Sequence, residues 1–214
     1  MDFSRADFLK DTPIYGMTAE AFSHSGDNIY DVDKMLESGI KVIQYREKEK
    51  CGMDMYRQCV KIREMTADAG AVLIIDDFTD LALAVGADGV HIGQEDMPIE
   101  AVRSIVPEDF IIGLSTHSPR QAKDAIQRGA DYIGVGPVFE THTKKNVCDP
   151  VGLEYLDYVV KNTDIPFVAI GGIKEHNIAE VYAHGAKCVC LVTEIVGSEN
   201  IPEKVHRILQ HKSF

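Results

Sequence analysis

The chain has 214 residues, of which 45% are hydrophobic, which is enough to enclose the core of one domain spanning residues 1–214. Its 34 acidic residues outnumber its 22 basic residues, and the formal charge of −12 argues against a nucleic-acid partner. No apolar run approaches the roughly 20 residues of a membrane span, and the acidic start lacks a signal-peptide pattern, so we expect a cytoplasmic protein with no membrane partner.

Short repeats that join a glycine to an apolar run organise the chain. Each glycine follows a helical pattern and precedes a β-rich segment, and the repeats contain Gly39, Gly70, Gly86, Gly129 and Gly185. A helix that ends on a left-handed glycine and turns at once into a β-rich run is the junction of an α-to-β unit. The repeats therefore predict alternating helices and strands.

Hydrophobic periodicity assigns these elements along the chain. Strands are predicted at Pro13–Thr18, Lys41–Tyr45, Val72–Ile75, Gly89–Ile92, Phe110–Leu114, Tyr132–Val135, Phe167–Ile170 and Cys188–Val192. Helices are predicted at Asn28–Ser38, Met53–Ala69, Phe78–Val85, Ile99–Ser104, Pro119–Arg128, Leu153–Lys161, His176–His184 and Ile201–Gln210. A long loop, Gly136–Pro150, follows the sixth strand. This alternation favours an α/β fold, a single-domain (β/α)8 TIM barrel, over an open doubly wound sheet.

Polar residues after the second to fourth strands would share one rim of such a barrel, where barrel enzymes carry their chemistry. Strand alternation sends Gln44, Arg46 and Lys48 to one side of the chain, although a solvated charged turn would look the same. The carboxylates of Asp77 and Asp96 follow neighbouring strands and can converge on a hard cation, for which Mg²⁺ is the natural candidate. The alternative is that these two aspartates cap the next helices.

Hydroxyls and a histidine follow the fifth and sixth strands. Ser115 and His117 come after the fifth strand, where a capping or core role for His117 is as consistent as catalysis. The next loop carries Thr141, Thr143 and Lys144, whose hydroxyls and charge suit a diphosphate. This long loop is also consistent with a lid over the site.

The last two strands are followed by a second candidate anion site. Gly172 comes after the seventh strand, and Val192 and Thr193 come at the end of the eighth. Backbone N–H groups at these positions can hold a phosphate, in the place where barrels often bind one.

Together these motifs resemble the thiamine phosphate synthase family, from about Tyr15 to Val196. The motifs that carry the resemblance are Gln44-x-Arg46-x-Lys48, His91-Ile92-Gly93-Gln94-Glu95-Asp96, Ser115-x-His117, Gly136-Pro137 with Thr141-x-Thr143-Lys144-Lys145, and Ile170-Gly171-Gly172-Ile173. The resemblance implies that hydroxymethylpyrimidine diphosphate is bound through its diphosphate by Gln44, Arg46, Lys48, Thr141, Thr143 and Lys144. It further implies that Asp77 and Asp96 bind Mg²⁺, that Ser115 is the family's serine after the fifth strand, and that Gly172, Val192 and Thr193 bind a thiazole phosphate.

One position departs from the family pattern. Where the family usually carries Asn-Asp after the third strand, this chain has Asp76-Asp77, so the substrate contact of the asparagine amide is in question. Two carboxylates this close disfavour joint ionisation. Either Mg²⁺ holds both as anions, or Asp76 is protonated and donates a hydrogen bond in place of the missing amide.

The resemblance implies that the enzyme transfers the hydroxymethylpyrimidine group from its diphosphate to the nitrogen of a thiazole phosphate. The bond to diphosphate would break first, assisted by Mg²⁺, with Arg46, Lys48, Ser115 and Lys144 as catalytic residues and small molecules as partners. A thiazole tautomerase that uses His117 for proton transfer, and a non-catalytic phosphate-binding regulator, are the alternatives. The sequence leaves open whether the chain forms a homo-oligomer.

Overall fold

In the computed structural model, which describes residues 7–143 and 148–212, eight parallel strands pair in the order in which they occur in the chain. The strands are β1 Gly16–Met17, β2 Val42–Tyr45, β3 Val72–Asp76, β4 Gly89–Ile92, β5 Ile111–Thr116, β6 Tyr132–Val135, β7 Phe167–Ile170 and β8 Val189–Cys190. A parallel bridge between Ile14 and Val189 joins the two ends of the sheet. The predicted barrel is therefore confirmed.

Helices connect the strands and form the outer layer. They are α1 Asn28–Glu37, α2 Gly52–Asp68, α3 Thr79–Val85, α4 Ile99–Arg103, α5 Pro119–Gln127, α6 Gly152–Asn162, α7 Ile178–Ala183, α8 Val192–Val196 and α9 Ile201–Gln210. A short 3-10 helix at Glu20–Phe22 follows β1. None of the described helices is both long and apolar enough to cross a membrane.

The first and last strands differ from the predicted ones. The first is shorter than Pro13–Thr18, and the eighth ends at Cys190, so Val192 does not belong to it. Instead Val192 opens α8, in which Ile195 and Val196 are buried. The spacing of these three apolar residues is that of one helix face, and burial of that face outweighs the strand propensity of Val192.

Apolar side chains form an outer layer between helices and strands and an inner layer inside the barrel. The inner layer contains alternate strand residues such as Val72 and Ile74, and the segment before β1 adds Phe8. The ring of Phe8 lies 5.1 Å from that of Tyr132, edge to face. Phe8 therefore closes the interior beneath this tyrosine.

Two aspartates fasten strands to helices at the amino ends of β4 and β6. Asp88 Oδ2 accepts hydrogen bonds from the backbone N–H of Leu73, at 2.7 Å, and from Arg63 of α2, at 2.6 Å. Asp131 Oδ2 repeats the arrangement with a backbone N–H of β5 and with Arg103 of α4, both at 2.7 Å. Each carboxylate thus joins two strands and one helix at the end of the barrel remote from the strand carboxyl ends.

The glycines of the repeats have the predicted left-handed backbone. Their φ angles are 84° at Gly39, 59° at Gly70, 64° at Gly86, 83° at Gly129 and 91° at Gly185. Each stands where a helix ends and the next strand begins, which confirms the repeat unit.

Replacement of Gly129 by alanine should expose the cost of this backbone conformation. A Cβ at Gly129 would meet nothing within 4 Å, so strain at φ 83° is the main effect, and we expect the free energy of unfolding to fall by roughly 1–2 kcal/mol. Gly52→Ala is the control, because Gly52 has an ordinary φ and equally open space. Urea denaturation measures both variants, and an equal effect in the two would contradict the assignment.

Candidate active site at the carboxyl ends of the strands

A cavity of about 400 Å³ opens at the carboxyl ends of the strands, a volume typical of sites for small molecules. The predicted site residues on its wall are Gln44, Arg46, Asp76, Ser115, Thr141, Thr143, Gly172, Val192 and Thr193. Lys48, Asp77 and Asp96 lie outside this wall. Lys144 lies outside the described residues.

Lys48 lies between the two carboxylates at the end of β3. Its Nζ is 2.8 Å from Asp76 Oδ2 and also donates to Asp77 Oδ2, while Arg46 Nε is 3.6 Å from Asp76 Oδ2. Burial opposes the charge of Lys48, but the attraction of Asp76 and Asp77 outweighs it and raises the pKa of Lys48. Lys48 and Arg46 therefore place two positive charges beside the Asp76-Asp77 pair, an arrangement that neither of the two hypotheses for Asp76 included.

Asp77 adopts a backbone conformation that is uncommon for a residue with a side chain. Its φ is 61°, and its N–H donates to the carbonyl oxygen of His91 at 2.8 Å, which attaches the turn after β3 to β4. Helix α3 has Phe78 as its N-cap and α4 has Pro98, in both cases without a side-chain cap. The capping alternative for Asp77 and Asp96 is therefore wrong.

The aspartates after β3 and β4 offer hard oxygen ligands of the kind that Mg²⁺ prefers. Asp96 Oδ2 accepts a hydrogen bond from the N–H of Gly93 at 2.7 Å, which holds the turn that carries it. Within the part of the chain that the structure describes, no three acidic, histidine or cysteine side chains gather closely enough to hold a metal by themselves. A Mg²⁺ ion held by Asp77 and Asp96 would therefore take its other ligands from substrate oxygens and water.

A series of polar side chains crosses the barrel interior and forms part of the cavity lining. Gln44 Nε2 donates to Tyr15 Oη at 3.1 Å, and Tyr15 Oη is 2.8 Å from Tyr132 Oη. Tyr132 Oη is 2.9 Å from His91 Nδ1, and His91 Nε2 is 2.9 Å from Ser115 Oγ. Sequence reasoning missed the two tyrosines. The alternation of a strand indicates which residues point inward, but not which of their hydroxyl groups form hydrogen bonds across the barrel.

The side chain of Gln44 is more deeply buried than its position in a motif with the charged Arg46 and Lys48 suggests. Its side chain is 1% exposed, and Oε1 has no hydrogen-bond partner among the described residues. A buried carbonyl oxygen without a donor is costly. This oxygen is therefore a place where a bound molecule with an N–H group would be held.

The residues after β5 and β6 form another part of the wall. His117 Nδ1 donates to the carbonyl oxygen of Gly136 at 2.5 Å, and Ser118 caps α5. Thr141 Oγ1 and Thr143 Oγ1 lie 3.3 Å apart. The two threonine hydroxyls therefore face one region of the cavity.

Lys174 is a cation of the wall that the sequence did not single out. Its Nζ donates to Thr193 Oγ1 at 2.5 Å and lies 3.5 Å from Glu194 Oε1. Gly172, with φ 63°, permits close approach of the loop after β6, because a Cβ there would overlap the carbonyl oxygen of Glu140. The β7–β8 side of the cavity thus carries the positive charge of Lys174, which is paired with Thr193 and Glu194.

Comparison with known proteins identifies the family. A family model described as thiamine monophosphate synthase matches residues 14–195. The chain belongs to the thiamine monophosphate synthase family.

Curated relatives of the family cover most of the chain. The thiamine-phosphate synthase of Pelotomaculum thermopropionicum is 61% identical over 200 residues, which are 94% of this chain and 92% of that protein. The thiamine-phosphate synthase of Caldicellulosiruptor saccharolyticus is 54% identical, with 94% and 90% covered. The chain is accordingly an enzyme, a transferase of thiamine biosynthesis, and neither the tautomerase nor the regulator alternative finds support.

Solved structures agree with the barrel of the family. The thiamine phosphate pyrophosphorylase of Pyrococcus furiosus has a TM-score of 0.86 and 34% identity, covering 97% of this chain and 96% of that one. A 3-hexulose-6-phosphate synthase has a TM-score of 0.68 at 14% identity, and this likeness concerns the fold alone.

The charge balance at Lys48 predicts a pH-dependent stability difference. A lysine with a raised pKa in the folded state stabilises the fold below its unfolded pKa of about 10.4, and this contribution is lost as pH rises through the folded value. We expect Lys48→Met to lower the free energy of unfolding by roughly 1 kcal/mol at pH 7. The variant and the wild type should converge once the pH exceeds the raised pKa of Lys48. Lys61→Met, which removes an exposed pair with Glu64, is the control. A deficit of Lys48→Met that is unchanged at alkaline pH would contradict the ion-pair assignment.

Proposed function

We propose that the protein joins the pyrimidine group of hydroxymethylpyrimidine diphosphate to the nitrogen of a thiazole phosphate, which yields thiamine phosphate and diphosphate. The supporting observation is that one cavity carries Arg46 on its β2 side and Lys174 on its β7–β8 side. Two separate cations suit two anionic substrates whose heterocycles meet between them. This assignment fits the activity named for the relatives.

The diphosphate is assigned to the β2–β4 side and to the loop after β6. Arg46 and Lys48 supply positive charge there, and Lys144 belongs to the same proposed set. Asp77 and Asp96 would hold Mg²⁺, which would offset the negative charge that grows on the departing diphosphate. Because Lys48 already pairs with Asp76 and Asp77, substrate and metal would replace this internal ion pair with their own.

The pyrimidine ring is assigned to the floor of the cavity. Gln44 is better suited to the ring than to the diphosphate, because diphosphate oxygens are acceptors and its unpartnered Oε1 needs a donor. The amino group of the pyrimidine is such a donor. Met17 and Ile170 give the same region an apolar wall.

The thiazole phosphate is assigned to the β7–β8 side. Gly172, Val192 and Thr193 would offer backbone N–H groups and a hydroxyl, and Lys174 would offer an ammonium at the same place. A phosphate held there fixes the position of the attached ring, so its nitrogen can face the reacting carbon of the pyrimidine. Such positioning supplies a large part of the rate.

The bond between the pyrimidine methylene carbon and the diphosphate oxygen would break first. The electron pair leaves with the oxygen, where the hydroxyl of Ser115 and the nearby cations can stabilise it. The thiazole nitrogen then supplies the electron pair of the new bond. No side chain of the protein needs to form a covalent intermediate.

Product analysis tests this function and the metal ligands together. Protein mixed with both substrates and Mg²⁺ should form thiamine phosphate and diphosphate in equal amounts, whereas Asp77→Ala combined with Asp96→Ala should lose at least about a hundredfold in turnover. Asp80→Ala, a change at an exposed residue of α3, is the control. Absence of product from the wild type would refute the function, and unchanged turnover of the double variant would refute only the metal ligands.

Lys174→Gln tests the acceptor site. Loss of a charged hydrogen bond of about 1.5–3 kcal/mol should raise KM for the thiazole phosphate by roughly ten- to a hundredfold, with a much smaller change for the pyrimidine diphosphate. Lys204→Gln is the matched control, because Lys204 contacts Glu175 and Glu194 but lies outside the cavity wall. An equal rise in KM for both substrates would contradict the assignment.

A further inference from the structure

The polar series inside the barrel joins side chains of five strands or strand ends. It runs from Gln44 through Tyr15, Tyr132 and His91 to Ser115, with separations of 3.1, 2.8, 2.9 and 2.9 Å between successive polar atoms. All five side chains line the cavity, with Gln44 at one end of the series and Ser115 at the other. What the series can do depends on the direction in which its hydrogen bonds point.

The amide of Gln44 determines that direction. An amide nitrogen only donates, so the oxygen of Tyr15 accepts from Gln44 Nε2. The single hydroxyl proton of Tyr15 is then directed to the oxygen of Tyr132. Tyr132 in turn donates its own proton to Nδ1 of His91.

The direction is passed on to Ser115 through the imidazole. A ring nitrogen that accepts a hydrogen bond carries no proton, so the proton of a neutral His91 is on Nε2. Nε2–H donates to Ser115 Oγ, 2.9 Å away. The hydroxyl proton of Ser115 is left for an acceptor in the cavity.

Burial and packing keep the series in one arrangement. Burial raises the pKa of both tyrosines, so both hydroxyls keep their protons and remain hydrogen-bond donors. Gly113 makes room for the central contact. A Cβ there would overlap the ring of Tyr132 and would lie 2.5 Å from His91 Nδ1.

We propose that Tyr15 and Tyr132 are positioning residues that hold His91 in the Nε2–H tautomer and so make Ser115 a hydrogen-bond donor to the cavity. The inference rests on the proposed function, in which an oxygen of the departing diphosphate is the acceptor. Ser115 donates a hydrogen bond to this oxygen as the electron pair arrives on it, and no proton is transferred. In this arrangement Ser115 is not a general base.

The tautomer of His91 is measured by nuclear magnetic resonance of the free, full-length protein labelled with ¹⁵N-histidine. His91→Gln identifies the His91 signals among those of the eight histidines. We expect Nδ1 to show the shift of an unprotonated nitrogen and Nε2 that of a protonated one. A proton on Nδ1, alone or together with one on Nε2, would overturn the proposal. Because no substrate is present, this result is independent of whether the proposed reaction takes place.

Tyrosine-to-phenylalanine variants separate positioning from packing. Tyr132→Phe removes the donor to His91, so we expect His91 to become a mixture of tautomers and the single-turnover rate to fall about tenfold with little change in KM, less than for complete loss of an oxyanion donor. Tyr15→Phe leaves the donor of Tyr132 in place and should have a clearly smaller effect on both readouts. Tyr45→Phe is the matched control, because Tyr45 is 1% exposed, donates to Gln58 and lies outside the cavity wall.

The three variants give outcomes that decide the proposal. Graded effects in the order Tyr132→Phe, Tyr15→Phe, Tyr45→Phe, together with a tautomer change only where Tyr132 is replaced, would support it. Equal losses in all three variants, or an unchanged tautomer in Tyr132→Phe, would overturn it. If Tyr132→Phe fails to fold, the tautomer of the wild-type protein still decides the matter.

Discussion

Closure between the first and last strands is the constraint on which the rest of the structure depends. Both strands are short, and two backbone hydrogen bonds hold them together. The N–H of Tyr15 donates to the carbonyl oxygen of Val189 at 2.9 Å, and the N–H of Val189 donates to the carbonyl oxygen of Pro13 at 3.0 Å. Closure brings Tyr15 within hydrogen-bond distance of Tyr132, which is 117 residues away in the chain. It also brings the end of β8 beside the cations that follow β2. In an open sheet of the same strands, Tyr15 would be separated from Tyr132, and the end of β8 from the cations after β2, by several strands.

Lys174 on the cavity wall and Lys48 beside the cavity are each balanced by carboxylates of the protein itself. Lys48 contacts Asp76 and Asp77, and Lys174 lies 3.5 Å from Glu194. Partly buried charges without partners are costly, so these internal pairs stabilise the protein before any substrate arrives. An incoming anion must compete with a carboxylate for each lysine. This competition disfavours weakly charged anions and favours phosphates that bring several oxygens at once.

The sequence predicts the barrel well because its repeats are local, but it predicts the contacts of the site only in part. Left-handed glycines and apolar runs each depend on a few neighbouring residues, and strand ends of a barrel share one rim by topology alone. In contrast, the ammonium between Asp76 and Asp77 depends on a side chain 29 residues away from Asp77. The burial of Gln44 depends on which strand residues point into the barrel. Lys174 lies in the loop after β7, and the residues that it contacts, Thr193 and Glu194, belong to the next strand-helix unit. The metal ligands and the diphosphate contacts remain predictions.

The hydrogen bonds of Asp88 and Asp131 at the amino ends of β4 and β6 bear on the order in which the barrel folds. The carboxylates of Asp88 and Asp131 bind backbone N–H groups only 15 and 19 residues away, within single strand-helix-strand units. Short loops cost less entropy to close than long ones, and local contacts form faster than distant ones. The bridge between Ile14 and Val189, in contrast, must join nearly the whole length of the chain. We therefore expect the barrel to assemble from its middle strands outward, with the site completed only in the last step.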